Sequence, residues 1–101
     1  MRIALLHDHY DEKHLADVKA EMKKLGAPTI KAVYLAGNDH YAALEGTHRI
    51  LAAKDLGLVP IIDTIDYDKT KDDFVDGMQD YFTVAEICDR AYQAKEVCFN
   101  D

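Results

Sequence analysis

The sequence has no long hydrophobic run. Its apolar stretches stop at four or five residues, far short of the roughly 20 that a bilayer-spanning helix needs. Met1 leads straight into RIALLHDHYD with no signal-peptide core behind it, so a cytoplasmic protein with no membrane partner is expected. Basic residues are also scarce: 12 Lys and Arg against 19 Asp and Glu give a net charge of −7. That balance repels phosphate backbones at long range and makes nucleic acid an unexpected partner, although it leaves room for a local basic site. Cysteine is limited to Cys88 and Cys98. On one helix their spacing spans about 15 Å, too far for a disulfide. Internal repeats and low-complexity linkers are absent. With 101 residues, 49% of them apolar, the chain is sized for one core and is read as a single domain over 1–101.

What is present is a series of short periodic segments. RIALL (2–6) reads as a strand. Leu15, Val18, Met22 and Leu25 recur at helical steps between Asp11 and Leu25, and Gly26 with Pro28 supplies the stop. Two β-leaning runs surround Gly37-Asn38-Asp39 in residues 29–46 and predict a hairpin. Thr47 to Leu56 reads as a helix closed by Gly57. The run VPIIDTI (59–65) predicts a strand buried on both faces. Residues 66–80 are dominated by aspartate and read as a solvated connection with one loose helical turn. Thr83 and Glu86 form a capping-box pattern that opens a last helix over 83–97, with Val84, Ile87, Cys88, Ala91 and Ala94 on its apolar stripe. Cys88 and Cys98 are expected on that stripe as small buried hydrophobes. The tyrosines at 34, 41, 67, 81 and 92 read as core or rim, and Met22 as a core filler. The fold class is α+β (or α/β), a small mixed sheet packed with about three helices.

The densest chemistry lies in EGTHRILAAKDLG (45–57). A helix N-terminus presents unpaired backbone N–H groups and about half a positive charge, which suits an anion. Gly46 is read as allowing close approach of a ligand. Thr47 serves as a cap or as a hydroxyl contact, and His48 and Arg49 add phosphate donors, the arginine in bidentate fashion. On a helical wheel Arg49 falls on the side of Ile50, Ala52, Ala53 and Leu56, which must face the core. It therefore needs an anion, a carboxylate such as Glu45 or Asp63, or a path past the helix start.

Strand, hairpin, EGTHRILAAKDLG and apolar strand together resemble the ParB/sulfiredoxin superfamily, over roughly residues 3–66. The matching stretch is KKLGAPTIKAVYLAGNDHYAALEGTHRILAAKDLGLVPII. It shares with that family a helix ending in Gly, a strand, a turn, a second strand, a Gly-x-His-Arg helix start and a Leu-Gly helix end. The resemblance implies that Gly46, Thr47, His48 and Arg49 hold nucleotide phosphates. Sulfiredoxins carry a catalytic cysteine where this chain has Thr47, so sulfinate reduction is not expected. ParB partition proteins use two arginines in the motif and continue into a DNA-reading module for which this acidic chain has no room. A third branch, nucleotide-dependent kinases of free serine, places an acidic base in the loop before the first helix, and Asp8 is the positional match.

That loop, HDHYDEKH (7–14), packs His7, His9 and His14 with Asp8, Asp11 and Glu12. Three readings stay open. The loop binds a metal through its histidines. It faces the phosphate site, with Asp8 as general base or indirect Mg²⁺ anchor and His7 or His9 as a further site-lining donor. Or its carboxylates simply cap the first helix. The combined expectation is a domain binding a nucleoside tri- or diphosphate (ATP, ADP or CTP) with Mg²⁺, acting as a hydrolase or phosphotransferase. Gly46 to Arg49 would take the phosphates, and Asp8 and Glu45 would be the candidate catalytic carboxylates. The alternative is a non-catalytic module in which a nucleotide or other anion regulates binding to a protein partner.

Overall fold

The computed structural model describes residues 1–75 and 82–99. Five strands form one mixed sheet: β1 (Arg2–Ala4), β2 (Thr29–Leu35), β3 (His40–Ala43), β4 (Ile61–Thr64) and β5 (Glu96–Cys98), in the order β4-β2-β3-β1-β5. The helices are α1 (Glu12–Leu25), α2 (Thr47–Leu56), the single turn α3 (Tyr67–Thr70) and α4 (Val84–Ala91). The α+β class expected from the sequence is what the chain adopts.

Pairing directions decide where the helices go. β2 and β3 form the expected antiparallel hairpin, with Val33 opposite Ala42. β1 runs parallel to β3, with Ala4 opposite Ala42, and β2 runs parallel to β4. Parallel strands cannot be joined by a tight turn, so β1 reaches β3 by way of α1 and β2, and β2 reaches β4 by way of β3 and α2. α1 leads from β1 to β2, and α2 leads from β3 to β4. Both pack on one face, where Leu15 and Met22 of α1 meet Ile50, Ala52 and Ala53 of α2 over Ile3, Ile30 and Ala43. α4 covers the opposite face through Val84, Ile87, Cys88 and Ala91, against Ala4, Val33 and Ala42.

Three helices start on carboxylate or hydroxyl caps. The Asp11 side chain accepts the His14 amide, the Asp66 side chain accepts the Lys69 amide, and Thr83 and Glu86 complete the reciprocal capping box read from the sequence. α2 instead follows Gly46 in the left-handed region (φ 75°) and has no side-chain cap. Residues 66–75 of the acidic connection hold α3 and a short bridge from Phe74 to Thr83. Residues 76–80 and Tyr81 lie outside the described residues.

Four expectations require correction. The strand at 59–65 is not buried on both faces: β4 stands at the end of the sheet, paired with β2 alone among the described strands, and Ile61 is 59% exposed. The last helix does not run to 97. The apolar stripe ends at Ala91, and Glu96 to Cys98 switch to a two-residue alternation that buries Val97 and Phe99 and fills the open edge of β1. Cys98 consequently sits exposed on β5 rather than buried on a helix. Leu25, the last of the apolar positions recurring at helical steps in α1, is 80% exposed in the final turn before Gly26.

Gly46 has a second reason to be glycine. A Cβ there would come within 2.8 Å of Ile30 Cδ1 and 3.3 Å of the Arg49 guanidinium, so the missing side chain makes room for the core and for Arg49. Gly57 has a similar φ of 72° but open space around it. Gly57→Ala should therefore cost only the left-handed penalty of about 1–2 kcal/mol, whereas Gly46→Ala should cost about 2–4 kcal/mol because overpacking is added. Urea unfolding of the two variants measures the difference, and Ile30→Val should recover part of it only in the Gly46→Ala background. Thiol accessibility gives a second check. Burial and the neighbouring Asp89 push the Cys88 thiol up to about 11, so a disulfide reagent at pH 8 should modify Cys98 rapidly and Cys88 only after unfolding.

Candidate functional site

The parallel pair β1 and β3 ends at one side of the sheet, and each strand is followed there by a loop that leads into a helix. The starts of α1 and α2 are thereby brought together. Asp11 ties them: its carboxylate accepts the His14 amide at 2.9 Å, its carbonyl accepts the Leu15 amide at 2.8 Å, and its own amide donates to His48 Nε2 at 3.0 Å. Thr47 is buried, and its Oγ1 donates to the His7 carbonyl at 3.4 Å. Thr47 is thus a tie between the α2 start and the loop after β1, not the α2 cap.

Between these elements lies a cleft of about 400 Å³, lined by His7, His14, Val18 and the run from Glu45 to Arg49, with Leu6 at its base. The tetrad named from the sequence therefore does border a cavity. His14 enters it as well, its ring edge-on to His48 with centroids 4.5 Å apart. Sequence reading counted His14 in the loop but gave it no place at the site. The usable signal was its position three residues after the cap of α1, from which a side chain projects back over the helix start.

His48 accepts a backbone hydrogen bond at Nε2, so the neutral ring carries its proton on Nδ1. Desolvation holds its pKa below the ordinary histidine value, with His14 and His7 adding to the depression and Asp11 opposing it. It therefore offers a ligand one neutral N–H, where the sequence reading allowed a cation. Arg49 folds back over Gly46, donating from Nη1 to the Thr29 carbonyl at 3.0 Å and from Nη2 to Glu45 Oε1 at 2.9 Å. Of the alternatives open for this arginine, the Glu45 pair is the one formed, while Asp63 stays exposed on β4. A guanidinium has further N–H groups to give beyond these two bonds.

Glu45 is engaged at both oxygens, since Oε2 accepts the Lys31 amide at 3.0 Å and extends the β2–β3 ladder. Both oxygens of Glu45 are thus committed to Arg49 and to the Lys31 amide. Asp8 and His9 stand apart from the cleft. Asp8 is 68% exposed and 4.0 Å from the His9 ring, which is itself 93% exposed, and Asp8 borders a neighbouring hollow instead. His7 lies on the wall between the two spaces, and its Nδ1 is buried without a hydrogen-bond partner. Among the described residues, no group of three or more His, Cys, Asp or Glu is placed to hold a metal ion. The helix-cap reading of the 7–14 loop is realised by Asp11.

The depressed His48 pKa has a definite sign for stability. Between the folded and unfolded pKa values the unfolded chain binds more protons, so stability rises with pH there and is lost as pH falls through the ordinary histidine range. Wild type should lose more stability between pH 7.5 and 5.5 than His48→Gln, whose amide oxygen can still accept the Asp11 N–H. Urea midpoints at the two pH values measure this, and equal losses would refute it.

No helix among the described residues is long and apolar enough to cross a membrane. Comparison with family models, with curated proteins and with solved structures returns no match to this chain.

Proposed function

We propose that the cleft at the start of α2 binds the phosphates of a nucleotide, ATP, ADP or CTP, carried with Mg²⁺. The observation that carries the reading is the convergence of two helix starts, one of them uncapped by any side chain, on a cleft lined by Thr47, His48, His14 and Arg49. Helix-start amides and an arginine are the donors that phosphate oxygens favour. The resemblance to ParB/sulfiredoxin domains points to Thr47, His48 and Arg49 together with Gly46, which also lines the cleft.

The donor set also fits Mg²⁺ in its usual mode. Glu45, the carboxylate lining the cleft, is already bonded at both oxygens, so the ion would be held chiefly by phosphate oxygens and water. When bound, it supplies charge neutralisation on the phosphate chain. Arg49 would exchange Glu45 for a phosphate oxygen, and the neutral His48 N–H would hold a second oxygen. Hydrolysis or phosphoryl transfer would then rest on Asp8, an exposed carboxylate on the loop that walls the cleft, as the group orienting water or an acceptor hydroxyl. The engagement of Glu45 and the displacement of Asp8 favour a second reading, a non-catalytic module in which nucleotide binding alters contact with a protein partner.

Titration of the protein with each nucleotide and Mg²⁺, followed by amide shifts of residues 46–49, tests binding. Saturable shifts are expected, with at least tenfold weaker binding for Arg49→Gln at unchanged circular dichroism. Glu45→Gln, which keeps an acceptor for the Lys31 amide, should tighten binding several-fold by releasing Arg49. Absence of a saturable shift with all three nucleotides sinks the reading. Phosphate release that Asp8→Ala abolishes without weakening binding identifies the enzyme, and binding without turnover identifies the module.

A further inference from the structure

On the other side of the Leu6–His7 wall from the nucleotide cleft, a second hollow of about 320 Å³ opens between the ends of β1 and β3 and the last turn of α4. We propose that this hollow is a binding site for a small organic anion, a carboxylate or phosphate monoester with a short apolar chain. The proposal is independent of the reading of the nucleotide cleft.

The hollow exists because the sheet and α4 meet through small side chains. Ala4, Ala42, Ala91 and Ala94 line it together with Ile87. The volume lies at the lower end of the range typical of small-molecule sites. Its position at the carboxyl ends of two parallel strands is the place where α/β sheets commonly take ligands.

The rim supplies the charge preference. Arg90 and Lys95 stand on it with the Gln93 amide, against the single carboxylate of Asp8. In a chain of net charge −7 this is a local reversal of sign. Neither cation makes a salt bridge among the described residues. They are not needed to satisfy the end of α4, whose Arg90 and Ala91 carbonyls already accept the Gln93 and Ala94 amides. The Lys95 carbonyl is likewise taken by the Leu5 amide. Arg90 is held in place by its stacking on Phe82, with the guanidinium carbon 4.4 Å from the ring centroid, so little side-chain entropy remains to be lost on binding. His7, with its buried and unpartnered Nδ1, borders the same space and adds an unused polar atom.

The test uses butyrate, methyl phosphate and the uncharged butyramide as probes, followed by amide shifts of Gln93, Ala94 and Lys95 and methyl shifts of Ala4, Ala42 and Ala91. Saturable shifts with butyrate or methyl phosphate and none with butyramide are expected, and the anion that binds decides between carboxylate and phosphate ester. Arg90→Gln combined with Lys95→Gln should raise the dissociation constant at least tenfold while leaving circular dichroism unchanged. Ala94→Leu, a half-buried position, should block the hollow without touching either charge. Shifts at residues 46–49 alone would place the anion in the nucleotide cleft and overturn the proposal. So would silence with both anions, equal binding of butyramide, or indifference to the double substitution.

Discussion

Everything at the candidate site follows from the parallel pairing of β1 with β3. In that register, Ala4 beside Ala42, both strands end on the same side of the sheet and both crossover helices begin there. The connection from β1 to β3 runs through α1 and that from β2 to β4 through α2, and the two helices pack on the same face. The convergence of two positive helix ends would be unfavourable by itself. The Asp11 carboxylate at the start of α1 and the Glu45 carboxylate before α2 supply negative charge at those ends. The Asp11 amide then locks the two starts together through His48.

The elements that sequence reading placed well are those whose pattern is local. α1 has its periodic apolar positions and its Asp11 cap, α2 ends on Gly57, and α4 has a reciprocal Thr83–Glu86 box. The elements misplaced are those decided by neighbours remote in sequence. Nothing in VPIIDTI says that β2 will have only one free edge to offer, so the strand reads as central when it is peripheral. Nothing in the three residues of β5 announces that β1, almost the whole chain away, needs a partner. Phe99 is the residue that could have given the warning, because its burial with Val97 is incompatible with one helical stripe continuing from Ala91.

The run that lines the cleft was legible in the sequence, and the partners of its residues were not. Helix-start chemistry can be read from Gly46 to Arg49 because it depends on residues adjacent in sequence. The partners of those residues cannot, because they come from Asp11, His14 and Thr29 on other elements. Gly46 is the instructive case: a glycine at a helix start suggests ligand access, yet here the vacant Cβ position is claimed by Ile30 and Arg49. The core therefore sets the same requirement that a ligand would have set, and only geometry separates the two causes.

The Glu45–Arg49 pair decides how readily the cleft can accept an anion. Both side chains are more than a third exposed, and an exposed pair spaced four residues apart contributes only about 0.5 kcal/mol. That is a factor of about two in an equilibrium constant, which a multiply charged phosphate outweighs easily. A buried pair would behave differently, since removing Arg49 would leave Glu45 as an uncompensated charge at a cost of about 3–5 kcal/mol. Here Glu45 keeps the Lys31 amide as a partner and faces solvent, so it tolerates the loss. The pair therefore keeps Arg49 folded over Gly46 at the border of the cleft by a weak contact, the one that a phosphate would displace under the proposed function.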